Sequence, residues 1–308
     1  LRPFRRKPKQ LDTEPDLLIA SSGGGYVLAD SRRDRRTAAF GERPGSRGAA
    51  GVTDETGDLD SPPPPEVDEN ARARARLIAR TLALASVLGP RKAPRSASGT
   101  LVTRRWRGDS DEIDLDRTLE AIAAEPLPTD DDILVRQRVR RRRNIILVVD
   151  VSGSARGEQV RTAAATAGAV SGELTRDAVG IVAFWSAAAL VSPLGEHIRP
   201  DTVVDRLLAL PAQGLTNVSF ALGVAADELR GTRTADSRVL LLSDCVHNAG
   251  PDPRTIAAML PRLDVLIDVS GEHDLDLGRD LAAVGHGRCL PVTGYRDVAP
   301  ALHRIFAP

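Results

Sequence analysis

The sequence predicts an α/β protein built on a doubly wound, mostly parallel sheet with helices on both faces. Three observations carry this. Strand-like stretches rich in apolar residues recur at 144–149, 178–185, 237–242 and 263–269, and a continuous run such as Ile145 to Val149 is the mark of a strand buried on both faces. Stretches of helical composition separate them, as in strand–helix–strand units. The runs also end abruptly in polar rims, of which Asp150-Val151-Ser152-Gly153-Ser154 is the clearest. In open α/β sheets ligands bind beyond the carboxyl ends of the strands.

Composition limits the alternatives. The chain has 308 residues, enough for one or two domains. Aromatic residues are only 3%, so the core must come from Leu, Val, Ile and Ala. Lys+Arg and Asp+Glu both total 42, which removes any global electrostatic case for nucleic acid. No apolar run reaches the ~18 residues that would span a bilayer, and no signal-peptide pattern is present. The two cysteines, Cys245 and Cys289, make no disulfide framework and are expected as reduced thiols of a cytoplasmic protein. The first residue is Leu1, so the chain is expected to be a piece of something longer.

Residues 1–70 are expected to be a largely disordered linker. A basic start (Arg2 to Lys9), an arginine patch (Arg32 to Arg36), an acidic stretch (Asp54 to Asp60) and the run Pro62 to Pro65 offer little apolar surface. Ser21 to Gly25 lacks the Gly-Lys-Ser/Thr ending of a phosphate-binding loop. Residues 71–143 are expected to be a helical extension leading into the core. A helix rich in Ala, Leu and Arg runs over 68–88 and stops at Gly89-Pro90. It packs on the main domain or on a partner, with its arginines on a solvated face. Ile113, Leu115, Leu119 and Ile122 share a face of a second helix, capped by Asp114 or Asp116. Asp130-Asp131-Asp132 is expected as a solvated turn, with a second metal site as the alternative, and 133–139 as a strand.

From 144 to 308 strands and helices alternate. The Ser-rich loop leads into a helix over 158–174, followed by the strand at 178–185. The stretch 189–194 is expected as a short edge strand, because of Pro193. A helix follows over 202–210, then a loop at 214–217 in which Asn217 caps the next helix, 218–229. The strand at 237–242 ends in Ser243-Asp244. The remainder is helix 253–260, strand 263–269, helix 275–284, strand 287–292 and helix 297–306.

Three rims therefore carry oxygen donors: Asp150, Ser152 and Ser154 on the first, Thr216 on the second and Asp244 on the third. In a doubly wound sheet these loops meet at one edge. Two carboxylates and three hydroxyls are hard ligands, fit for Mg²⁺ or Mn²⁺ rather than zinc, and leave an octahedral shell incomplete. A partner's Asp or Glu would fill it.

The pattern Asp-x-Ser-x-Ser after a buried strand, a Gly-x-Thr loop and a Ser-Asp strand end resembles the von Willebrand factor A domain over about 144–308. The resemblance implies a Rossmann-like fold and a metal-ion-dependent adhesion site at Asp150, Ser152, Ser154, Thr216 and Asp244. Two positions depart from the pattern: Ala155, where intracellular members often have Met, and Cys245, where Gly commonly follows the aspartate. Neither supplies a ligand side chain. His247 lies near the rim and is expected to be a bystander.

Upstream, the stretch from Ile113 to Leu119 and the basic block Arg136 to Arg143 resemble the carboxy-terminal half of the D-type component of magnesium chelatase and the CoxE-like proteins. That resemblance implies a cytoplasmic, non-catalytic adaptor that works with an AAA+ ATPase of MoxR or chelatase I type. It would grip a client through Mg²⁺ and an acidic side chain of that client, in remodelling or metal insertion. The alternative is a component of a tetrapyrrole metal chelatase. A stand-alone hydrolase is disfavoured. Although five histidines are present (His197, His247, His273, His286, His303), none forms a recognisable nucleophile–base motif. A carboxylate beside Cys245 should blunt that thiol. An ion that only stabilises the fold is the remaining possibility.

Overall fold

The structure is a computed structural model. It describes residues 8–11, 14–21, 26–29, 69–88, 100–106, 112–124, 129–139, 142–152, 162, 166, 174, 177–210 and 215–306. The helix expected over 158–174 falls almost wholly outside these residues, and so does Ser154. Two compact units are present: Leu1–Leu88 with Arg143–Ala307, and Gly89–Arg142.

The larger unit is an eight-stranded sheet. Its strands are β1 (Leu17–Ala20), β2 (Tyr26–Leu28), β5 (Asn144–Asp150), β6 (Ala178–Phe184), β7 (Ala188–Ser192), β8 (Ser237–Ser243), β9 (Leu263–Asp268) and β10 (Cys289–Val292). β3 and β4 belong to the smaller unit. The order across the sheet is β10-β9-β8-β5-β6-β7-β1-β2. Pairing is parallel from β10 through β6 and between β7 and β1, and antiparallel at β6–β7 and β1–β2. β5 is central, with β6 on one side and β8 on the other. The chain thus turns from one half of the sheet to the other around β5, and the crevice at its carboxyl end is a topological switch point.

Burial along β5 alternates between two cores. Ile145, Leu147 and Val149 belong to one, with Ile181, Leu240 and Leu266. Ile146 and Val148 belong to the other, with Val182, Leu241 and Ile267. Successive side chains of a strand point to opposite faces, so the run must be apolar at every position for both faces to be covered. Val203, Val204 and Leu207 of α3 (Pro200–Leu208) and Leu302 and Ile305 of α7 (Tyr295–Phe306) lie on the first face. Val218 and Leu222 of α4 (Val218–Glu228), Ala257 of α5 (Pro253–Ala257) and Leu281 of α6 (Leu275–Val284) lie on the second. Each fully buried Leu, Ile or Val of this kind stabilises the fold by about 1.5–3 kcal/mol.

The beginning of the chain differs from expectation. Residues 17–20 and 26–28 are not linker: Leu17-Leu18-Ile19-Ala20 adds a strand parallel to β7, and Tyr26-Val27-Leu28 pairs antiparallel with it. Leu17 is buried in the second core. A glycine-rich sequence between two short apolar runs is a hairpin signal that the polar surroundings conceal. β7 is consequently an interior strand rather than an edge. Pro193 lies just past its end at Ser192, where a missing N–H costs no ladder bond.

Helix α1 (Glu69–Leu88) also packs on this unit. Ala75 and Ala79 are fully buried in the first core. Arg76 donates to both oxygens of Asp205 on α3, at 2.8 and 2.6 Å, and Arg72 reaches the same carboxylate at 3.3 Å. Two of its arginines are therefore paired rather than solvated. At the opposite end of the sheet from the rim, Arg143 Nε donates to Asp177 at 2.9 Å. The Arg143 guanidinium stacks 3.8 Å from the centroid of the Phe306 ring, and that of Arg238 lies 4.8 Å from it.

The smaller unit contains the antiparallel pair β3 (Thr100–Arg105) and β4 (Leu134–Val139) with α2 (Leu115–Ala124). It is a hairpin with a helix, and the strand expected over 133–139 is its β4. Its helix turns Thr118 inward, whereas Leu115 and Leu119 of the apolar face are 67% and 63% exposed. The Thr118 hydroxyl accepts from Leu134 N at 2.9 Å and donates to Leu134 O at 3.1 Å, satisfying a backbone amide and carbonyl that leucine could not. Asp114 accepts from Thr103 Oγ1 at 2.8 Å and pairs with Arg136, which holds its carboxyl below the usual range. Asp130–Asp132 is a 3-10 turn closed by Thr129 N donating to Asp132 Oδ2 at 2.8 Å, as a solvated turn should be. Among the described residues no helix is long and apolar enough to cross a membrane.

Candidate metal centre

Asp150 is the last residue of β5, one step beyond the buried run. Its carboxylate is held from both sides. Oδ1 accepts from Ser152 N at 3.0 Å and from Ser152 Oγ at 2.6 Å, an Asx-type turn that bends the chain out of the strand. Oδ2 accepts from Ser243 Oγ at 2.6 Å, across from β8. The Thr216 hydroxyl donates to Ser152 Oγ at 2.9 Å. Asp244 follows β8 directly, and its Oδ1 accepts from Val246 N at 2.8 Å. Asp150, Ser152, Thr216 and Asp244 thus come together from three loops.

Each loop has a local cause. The Leu215–Asn217 segment is tied to β6 by Asn217 N donating to Trp185 O at 2.8 Å. The Asn217 side chain caps α4 by accepting from Phe220 N at 3.1 Å, as expected. After Asp244 the backbone turns through Cys245 at φ 61°, the left-handed region. A glycine tolerates that region freely and a cysteine does so at a cost, which accounts physically for the glycine common at this position. The loop closes at Gly250, φ 84°, where a Cβ would lie 2.6 Å from Asn217 Oδ1.

The electrostatics of the rim are unusual. Burial raises the pKa of Asp150, against the hydrogen bonds from Ser152 and Ser243. Asp244 is pushed up to about 7, first by burial and then by the charge of Asp150. Among the described residues no positive side chain contributes to either shift. Two half-hidden carboxylates that oppose one another's ionisation, ringed by hydroxyls, fit a small hard cation, whose charge would lower both pKa values. Among the described residues no group of three His, Cys, Asp or Glu side chains is placed to hold a metal, so any ion here takes hydroxyls as well as carboxylates. The Ser152 hydroxyl donates to Asp150 at 2.6 Å and accepts from Thr216 at 2.9 Å. His247 is buried and its pKa lowered by that burial. Cys245 is a buried free thiol raised by burial first and by Cys289 and Asp244 after it.

Two contributors went unnoticed in the sequence. Ser243 was visible only as the residue before Asp244, yet it holds the second oxygen of Asp150. Asn248 had no signal at all: its Oδ1 accepts from Thr216 N at 2.6 Å.

The von Willebrand factor type A domain family matches residues 145–247. No curated protein sequence matches the chain. Among solved structures the chain is similar to proximal thread matrix protein 1 from the mussel byssus, with 16% identity and a TM-score of 0.44 over 53% of this chain and 46% of that one. A crystal form of that mussel protein has a zinc-occupied MIDAS motif. It is also similar to BatB from Bacteroides thetaiotaomicron, with 15% identity and a TM-score of 0.40 over 53% of this chain and 96% of that one. A von Willebrand factor type A protein from Catenulispora acidiphila gives 16% identity and a TM-score of 0.44, over 56% and 43%. The chain spans less than half the length of the mussel protein. Residues 145–247 of the chain are therefore similar to von Willebrand factor type A domains.

Proposed function

We propose that the rim is a metal-ion-dependent adhesion site that takes Mg²⁺ or Mn²⁺ and binds an acidic side chain of a partner protein. Asp150, Ser152, Thr216 and Asp244 would hold the ion, with Ser154 of the same sequence motif. The ion would supply a positive charge and a vacant coordination position. The observation that carries this is the pair of half-buried carboxylates, both raised by burial and Asp244 also by the charge of Asp150, with hydroxyls but no described cation around them. An incomplete oxygen shell of this kind would bind an acidic side chain at its open position.

The protein then acts as a non-catalytic adaptor in the cytoplasm. It cooperates with an AAA+ ATPase of MoxR or chelatase type in remodelling a client or inserting a metal. The likeness of 113–119 and 136–143 to D-type chelatase and CoxE-like sequences supports this choice of partner. The test is co-purification of the chain with a MoxR-type ATPase in Mg²⁺, in EDTA and with Asp150→Ala. Binding is expected only for the wild type in Mg²⁺. Equal binding in all three arms would refute the adaptor role of the ion.

A further inference from the structure

We infer that Asn248 is a positioning residue for the Thr216 hydroxyl, an inference that rests on the metal-centre reading above. Thr216 reaches the rim from a loop, not from a strand, so something must fix its peptide. Asn248 and its neighbour do so on both sides. Asn248 Oδ1 accepts from Thr216 N at 2.6 Å, while Asn248 N and Ala249 N donate to Thr216 O at 3.2 and 3.3 Å. Both backbone groups of Thr216 are thus bound by the loop that follows Asp244.

That loop is itself anchored. Lys9 N donates to Asn248 O at 2.8 Å and Gly250 N donates to Lys9 O at 3.0 Å, so an early segment of the chain pairs with this loop opposite Ala249. The next tie along the Thr216 loop is Asn217 N to Trp185 O. It holds the far side of the loop and leaves the Thr216 amide to Asn248. The consequence is a direct mechanical link between two ligand loops. The segment that begins with Asp244 sets where the Thr216 oxygen stands, 2.9 Å from Ser152 Oγ. Groups that orient a ligand from behind typically change metal affinity by about 10- to 100-fold when removed.

The test titrates Mn²⁺ into the full chain and reads free Mn²⁺ by electron paramagnetic resonance. Wild type, Asn248→Ala and Asn248→Asp are compared in 0.1 M and 0.5 M KCl, so that any part of the affinity due to a charge added at 248 shows as a salt dependence absent from the wild type. Melting in EDTA is recorded for each. Asn248→Ala is expected to bind Mn²⁺ about ten-fold more weakly. Asn248→Asp, which keeps an oxygen acceptor for the Thr216 amide, is expected to recover the affinity. Should Asn248→Ala fail to fold, Asn248→Leu fills the space and carries the same comparison. Affinity of the apolar variant within two-fold of wild type would overturn the inference, as would an Asp variant as weak as the Ala one. A wild-type chain that binds no Mn²⁺ would overturn the metal centre itself, and this inference with it.

Discussion

Replacing Gly250 by Ala should loosen the metal rim from a position that supplies no ligand. Two costs are readable. Gly250 sits at φ 84°, where an L side chain costs about 1–2 kcal/mol. Its new Cβ would stand 2.6 Å from Asn217 Oδ1 and 2.9 Å from Asn217 Cγ. The Asn217 side chain can escape only by giving up its bond to Phe220 N, the cap of α4, worth about 1 kcal/mol. A total of about 2–3 kcal/mol follows, measured as a shift in the urea midpoint with unchanged slope. The cycle with Asn217→Ala separates the terms. In that background no amide stands in the way and no cap remains to lose. Gly250→Ala should then cost about 1 kcal/mol less than in the wild type, a coupling that only neighbouring groups show. A loss below about 0.5 kcal/mol, or the same loss in both backgrounds, would refute the reasoning.

Three other outcomes can be checked. Because the folded-state pKa of Asp244 lies near 7 against an ordinary 3.8, the folded chain holds a proton that the unfolded chain releases. Metal-free stability should therefore fall as pH rises between those values. Asp150→Asn removes the charge that adds to this shift, so in EDTA it should exceed the wild type by on the order of 1 kcal/mol at pH 8 and match it near pH 4. A difference independent of pH would count against the carboxylate pair. Arg143→Ala leaves Asp177, 5% exposed, without its guanidinium and strips the Phe306 ring of a stacked cation. It should cost about 3–5 kcal/mol in chemical denaturation, and a loss under 1 kcal/mol would show that the pair is idle. Under native conditions a thiol reagent should modify half-buried Cys289 before buried Cys245, whose modification should keep pace with unfolding. Equal rates for the two would contradict the burial.

What the sequence discloses depends on whether a residue's role shows in its neighbours. The run 145–149 reads as a strand because every position must be apolar when both faces are covered, and the same holds for 178–184 and 239–242. Asp150, Ser152 and Asp244 are legible because they stand where such runs break off. β1 and β2 are harder to see: four and three residues are too few to establish a period, and their basic and glycine-rich surroundings resemble linker. Leu115 and Leu119 share the predicted helical face, but periodicity names the face and not its direction. The need of Leu134 for a hydroxyl partner turned Thr118 inward instead. Asn248 is a lone amide in an irregular loop, and its partner Thr216 lies 32 residues away. No local pattern can register such a pairing.

The two ends of the large sheet carry a consequence for how copies of this chain behave at high concentration. Unpaired strand edges invite another molecule to add on, and repetition of that contact leads to aggregates. Val265 and Val269 donate to the carbonyls of Arg288 and Val292, so the even-numbered residues of β10 face β9 and Pro291 faces outward. At that free edge proline has no N–H to offer an incoming strand. The other border, β2, is three residues long and gives a newcomer little to register against. Among the described residues, a sheet so rich in Val, Ile and Leu thus offers an incoming strand a poor template at both borders.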